Sequence, residues 1–487
     1  MLFNSLDFAI FLPIVFALYW LVNVRSLKVQ NFLILASSYF FYGWWDVKFL
    51  SLILFSTLVD YFIGLKMANE TDKSHRKLFL FFSLAINLGL LSYFKYSNFF
   101  IESFVDAFNL MGAKIQTSTL QIILPVGISF YTFQTLSYSI DIYRNQLKPT
   151  RDLLAFAAFV SFFPQLVAGP IERASNLLPQ FFQKRKFNYN LAVNGCKQIL
   201  WGLFKKVVIA DSAAEFANLI FNNHGSYPGS VLLLGGVFFA IQIYGDFSGY
   251  SDIAIGISRF FGFNLMRNFA FPYFSRDIAE FWRRWHISLS TWFRDYLYIP
   301  LGGSKVGKFK AIRNVFVIFT VSGFWHGANW TFIIWGLLNA IYFLPSMLLK
   351  KNRKYVSTTV AKDKFFPSLY EFYRIIWTFL LVVIAWIFFR SENLAHALSI
   401  LNEIFSTTIA VLPKGSHFLG TNIHPLNLAL LIVFFFTVEW FGRDQEFAIS
   451  TFGRKLNPLL SWSFYCTIGL TILLFSGQKQ EFIYFQF

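Results

Sequence analysis

Two stretches of an otherwise apolar chain gather side chains that can do chemistry. The first, EFWRRWHISLSTWFRDYLYIPLGG from Glu280 to Gly303, carries Arg283, Arg284, His286, Arg294 and Asp295 among tryptophans and tyrosines. In the second, SGFWHGANWTFIIWG from Ser322 to Gly336, His326 is the sole ionisable side chain. A histidine in a dry pocket suits acyl transfer. Its ordinary pKa of about 6.5 lets it take a proton from a hydroxyl at neutral pH, and desolvation keeps it neutral. Gly323 and Gly327 permit close backbone approach. Asn329 offers an amide to orient the imidazole or a substrate carbonyl, and Trp325 and Trp330 are candidates to wall a channel. The same residues also fit a packed interfacial histidine bonded to a neighbouring carbonyl. The stretch around His286 equally suits an amphipathic helix lying at a membrane surface. His75, His224, His396, His417 and His424 read as solvated loop residues. There is no nucleotide-binding glycine loop, metal-ligand cluster or G-x-S-x-G elbow. No metal is therefore implied, and a covalent serine enzyme is disfavoured.

The elements that must position these residues are membrane helices. Of 487 residues, 56% are hydrophobic, 21% aromatic and 14% charged, against about 25% charged in soluble domains. A water-soluble protein of this composition would aggregate. Apolar runs recur from Phe8 to Phe475, so residues 1–487 read as a single transmembrane domain. A span takes about 20 apolar residues, because about 30 Å of hydrocarbon is crossed with every backbone group bonded inside the helix. Candidates include Phe49 to Met67, Leu78 to Phe94, Ser230 to Tyr244, Val315 to Trp325 with Trp330 to Leu349, Ile375 to Phe389 and Ser461 to Phe475. Leu124 to Tyr143 is semi-polar and holds Pro125 and Gly127, which marks a re-entrant or tilted piece. The expected fold is an all-α, polytopic integral membrane protein with roughly 11–13 membrane-embedded helices, some of them re-entrant.

The net charge of +17 sits in short loops between apolar runs, which is the footprint of topology and not of nucleic-acid binding. Arg25 with Lys28, Lys66 to Lys77, Lys305 to Arg313 and Lys350 to Lys354 mark four cytoplasmic loops. That alternation puts the N-terminus and the tail GQKQEFIYFQF outside, and His326 past the midplane but still at membrane depth. The first segment lacks a basic n-region and a cleavage site and reads as a retained span. No internal repeat or inverted pair of broken segments is seen, which argues against a transporter. Cys196 and Cys466 are too far apart to suggest a zinc pattern or a disulfide framework.

Taken together, His286 in RRWHISLSTWFRDYLYIPLGG and His326 in FWHGANWTFIIWG resemble the two-histidine signature of membrane-bound O-acyltransferases. The resemblance is to the branch that includes alginate O-acetyltransferase and the D-alanyl transferase of teichoic acids. It extends to LPVGISFYTFQTLSYSIDIYR, FFPQLVAGPIER, YGDFSGYSDIAIG and the closing FIYFQF, so it covers nearly the whole chain. The length and the ending favour the alginate-acetylase-like group. The resemblance implies that His326 is catalytic and that His286 lines the same tunnel or assists. It also implies an acyl group taken from a cytoplasmic thioester donor such as acetyl-CoA, which is a substrate and not a bound cofactor. The destination is an exported polysaccharide such as alginate, reached through a periplasmic or extracellular acetyltransferase partner at a bacterial inner membrane.

Several positions keep two readings. Arg283 and Arg284 suit donor phosphates and equally anionic lipid headgroups. Asn329 and Asp295 are candidates for orienting roles. Tyr484 in FIYFQF can accept the acyl group before a partner takes it, or serve as a belt aromatic at the interface. The competing functions are acyl transfer to a lipid or protein, and a non-catalytic transporter or scaffold of an export complex.

Overall fold

The computed structural model describes residues 1–21, 26–112, 120, 122–167, 169–356, 358–453, 457–477, 480 and 482–483. Among them helix follows helix and no strand occurs. Six helices are long and apolar enough to cross a membrane: Val47–Asn69, Lys73–Leu110, Gly229–Phe260, Trp330–Leu348, Leu369–Arg390 and Pro458–Phe475. Leu6–Leu21, Leu153–Leu166 and Pro425–Phe441 are shorter apolar helices. The chain is an all-helical, multi-pass membrane protein.

The helices carry apolar residues on their outer faces as well as in the core. On Leu6–Leu21, the side chains of Leu6, Ile10, Ile14, Leu18 and Leu21 recur at helical spacing and are exposed, while Phe8, Phe11, Val15 and Tyr19 are buried. Such a stripe is unfavourable in water and at home in hydrocarbon.

The chain divides into two compact units, Met1–Val193 with Ile257–Met266, and Asn194–Gly256 with Arg267–Phe487. The first is held by buried polar bonds between helices. Asp60 on Val47–Asn69 accepts from Ser83 Oγ at 2.6 Å and Asn87 Nδ2 at 2.9 Å, both on Lys73–Leu110, and from Ser139 Oγ at 3.2 Å. Lipid supplies little hydrophobic drive between helices, so bonds of this kind help join them. Ser139 lies on Ile128–Tyr143, a helix buried along nearly all its length. Its semi-polar sequence follows from that burial, because its polar side chains face helices and not lipid. Gly127 opens it with φ 77, and a Cβ there would run into the backbone of Leu166.

The second unit contains the hairpin of Lys308–His326 and Trp330–Leu348. A Cβ on Gly323 would collide with the Phe332 carbonyl, and one on Gly336 with the Phe319 carbonyl. The two helices therefore pack backbone to backbone, as small residues allow in membranes. Two short helices, Ile278–Arg284 and Ile287–Phe293, belong to the same unit.

Some elements differ from the hydropathy reading. Leu78 to Phe94 becomes Lys73–Leu110, 38 residues long, because Asp72 Oδ1 caps the Ser74 N–H at 3.0 Å and polar residues extend both ends. His396 is not a loop residue. It sits on Leu394–Ile404 with its ring 4.3 Å from that of His224.

Candidate active site

His326 is the last residue of Lys308–His326, where the chain turns toward Asn329. It is buried, with its ring centroid 5.1 Å from Trp335, 5.4 Å from Phe389 and 4.9 Å from Trp325. The close packing at Gly323 and Gly336 seats this aromatic wall, since Trp335 and Phe332 ride on the helix pressed against the one that carries the histidine.

His286 comes from the junction of the two short helices and is fully buried. Its backbone lies in the left-handed region, φ 43 and ψ 55, which few non-glycine residues adopt. Main-chain bonds hold it there. Ile287 N–H donates to Asn268 O at 2.9 Å, Ala270 N–H to Arg284 O at 2.9 Å, and Ser290 N–H to His286 O at 3.0 Å. The ring packs edge-on against Phe247 at 4.7 Å and lies 6.4 Å from His326. It lies outside the spanning helices, and burial pushes its pKa down to about 3, so the imidazole is neutral.

Three residues that sequence reasoning did not single out complete this centre. Asn268 Oδ1 lies 3.1 Å from His286 Nδ1 and accepts from Ser288 Oγ at 2.8 Å. Asn268 Nδ2 donates to Ser251 Oγ at 3.0 Å. Phe247 and Ser251 both belong to YGDFSGYSDIAIG on Gly229–Phe260. That motif also carries Asp246, whose Oδ2 accepts the Ile483 N–H at 2.7 Å and whose Oδ1 pairs with Lys206 at 2.8 Å. Phe482 rests 4.1 Å from Tyr250 and 6.4 Å from Phe247. The segment before Tyr484 is thus tied to the helix that supports His286. Tyr484 itself lies outside the described residues.

The remaining candidates have other partners. Asn329 caps Trp330–Leu348, its Oδ1 accepting the Thr331 N–H at 3.0 Å and its Nδ2 donating to Glu392 O at 2.8 Å. Both ends of that amide are bonded to backbone. Asp295 pairs with Arg294 at 2.6 Å on a half-exposed turn. Arg284 is held by the buried Glu280 at 2.9 Å and by the Ala270 carbonyl at 3.0 Å. Arg283 Nη1 donates to Asn352 O at 2.5 Å, while its buried Nη2 has no hydrogen-bond partner among the described residues. Trp325 lines the centre, whereas Trp330 is exposed. Among the described residues, no group of three or more His, Cys, Asp and Glu side chains is arranged to hold a metal ion.

A dry, aromatic-walled pair of imidazoles, at least one of them neutral, is equipped to take and return protons. Residues 144–390 match the model of the membrane-bound O-acyltransferase family. The whole chain is 39% identical to a probable alginate O-acetylase of Pseudomonas putida, with all of both proteins covered. A peptidoglycan O-acetyltransferase of Helicobacter pylori is 40% identical over 82% of this chain and 79% of its own. A teichoic acid D-alanyltransferase of Bacillus subtilis is 30% identical over 47% of this chain and 61% of its own. The chain belongs to the membrane-bound O-acyltransferase family.

Proposed function

We propose that this O-acyltransferase moves an acetyl group from acetyl-CoA, used as a substrate, to an exported polysaccharide of the alginate or peptidoglycan kind. The observation that carries this reading is the buried pair His286 and His326, 6.4 Å apart within an aromatic wall. It is supported by the names of relatives that span nearly the whole chain.

Acetyl-CoA is large and anionic and cannot cross lipid, while a surface polysaccharide is modified outside. A base held at membrane depth between the two resolves that mismatch. His326 takes the proton of the attacking hydroxyl as the oxygen bonds to the thioester carbonyl carbon. The same proton then leaves with the thiolate sulfur as the carbon–sulfur bond breaks. His286 shares the centre, and Arg283 attracts the donor's phosphates. The bacterial inner membrane is the site, with both termini outside. Tyr484 accepts the acetyl group first, and a periplasmic or extracellular acetyltransferase partner moves it to the polymer. Supporting this order, Ile483 and Phe482 are anchored on the helix that carries Phe247, the ring packed against His286.

The test is the acetyl content of exported polysaccharide in a deletion strain complemented with wild type, His326→Ala or Tyr484→Phe, at equal membrane levels. Loss with His326→Ala supports catalysis, and retention would leave a transporter or scaffold. Full acetylation with Tyr484→Phe would sink the tyrosine step alone. Purified protein incubated with labelled acetyl-CoA then separates consumption of the donor from mere passage of a polymer.

A further inference from the structure

We propose that Asn268 is the positioning residue that sets the proton on His286, holding it as the Nδ1–H tautomer. The inference rests on the acyl-transfer reading only for its purpose, because the hydrogen bonds stand independently. Three groups converge on one atom, Asn268 Oδ1: the Ser288 backbone N–H at 3.3 Å, Ser288 Oγ at 2.8 Å and His286 Nδ1 at 3.1 Å. A backbone N–H can only donate, so the amide atom it faces is the oxygen and not the nitrogen. The other end of the amide agrees, since Nδ2 points at Ser251 Oγ, 3.0 Å away. Ser288 Oγ also lies 3.4 Å from His286 Nδ1 but is nearer Oδ1, at 2.8 Å, and donates there; with the amide orientation fixed by this network, His286 Nδ1 carries the hydrogen it shares with Oδ1. A neutral imidazole has a single N–H, so Nε2 is left as the proton-accepting nitrogen.

The support around this contact is built, not incidental. Asn268 is 1% exposed, and Ser288 and Ser251 are equally buried. The Asn268 carbonyl also takes the Ile287 N–H, so the same residue grips the main chain that holds His286 in its left-handed conformation. Beyond Asn268 and Ser251 lies a small cavity also lined by Lys205, Asp252, Arg267, Glu439 and Glu446. Rings packed on His286 include Phe247, Phe269, Trp325 and His326. Nε2 is therefore the nitrogen of His286 that can accept a proton. When the ring takes a proton at Nε2, its Nδ1–H stays on the amide oxygen, which stabilises the cation.

The experiment is nitrogen-15 NMR of histidine-labelled full-length protein in lipid, where the two tautomers give distinct ring-nitrogen shifts. The chain has seven histidines, and the His286 signal is identified by its loss in His286→Gln. Wild type is expected to show the Nδ1–H form. Asn268→Asp, which still accepts, is expected to keep it, and Asn268→Leu to lose it together with at least tenfold of the acetyl-CoA-dependent transfer. An Nε2–H signal in wild type, or an unchanged tautomer in a folded Asn268→Leu, overturns the proposal. Because the tautomer is read without turnover, a protein with the Nδ1–H form and no transfer would instead refute the acyl-transfer reading.

Discussion

The imidazoles of His286 and His326 stand with ring centroids 6.4 Å apart and planes inclined by 60°. They arrive from different places, His326 at the end of a long helix and His286 at a strained junction between two short ones. Both are buried, so the two imidazoles share one enclosed centre.

That geometry makes the histidines unequal to substitution by bland side chains. Removing a general base typically costs about 100-fold to 10,000-fold in rate. His326→Ala is expected to lower acetyl transfer by at least about 100-fold while the protein still accumulates in the membrane. Initial rates with labelled acetyl-CoA check this, and a loss below about tenfold would remove His326 from the proton-transfer step.

Burial of His286 carries a pH signature. Its folded pKa is pushed down to about 3, below an unfolded value of about 6.5. Between those values the unfolded chain binds more protons than the folded one, so stability is full above pH 6.5 or so and falls as the pH drops below it. Melting of the detergent-extracted protein is expected to shift to lower temperature from pH 7 to pH 5. His286→Gln, which has no proton to gain, is expected to flatten that slope. An equal slope in both proteins would show that other groups govern acid lability.

Much of this centre was legible because an ionisable side chain in an apolar run stands out, and His286 and His326 both do. The helical hairpin around His326 was equally plain from two hydrophobic runs meeting at Gly327 to Asn329. Asn268 was not legible. It lies 18 residues before His286 in a loop without periodicity, and only the tertiary fold brings it to the ring. Asn329 carried a signal that was there to be read: an asparagine directly before an apolar helical run is a favoured N-cap, and the structure uses it as one. The left-handed backbone of His286 leaves no trace in residue type, since it is imposed by the bonds from Asn268 and Arg284.

Backbone contact in the hairpin predicts a steric limit. Because a Cβ at Gly323 meets the Phe332 carbonyl and not a side chain that can turn away, Gly323→Val must separate the helices. Overpacking of this kind costs about 1–3 kcal/mol or more. The expected result is a lower melting temperature and loss of transfer, because Trp335 and Phe389 would no longer close on His326. Gly469, where a Cβ meets open space, is the control, and Gly469→Val is expected to be near neutral.

The Lys206 cluster predicts a cost that depends on charge and not on volume. Lys206 lies in the π-helical turn Phe204–Ala210, buried between Asp211 and Asp246 at 2.8 Å each, and its Nζ also donates to the Gln480 carbonyl at 3.2 Å. Lys206→Met keeps most of the side-chain length but leaves two carboxylates facing each other away from water. Breaking a buried pair in this way costs about 3–5 kcal/mol, so the single variant is expected to be poorly folded. Adding Asp211→Asn and Asp246→Asn removes the stranded charges and is expected to restore much of the stability. Activity should not follow, because the cation that held the Gln480 carbonyl is still missing and the tail leading to Tyr484 is less firmly anchored. A triple variant that regains both stability and full transfer would show that the cluster serves folding alone.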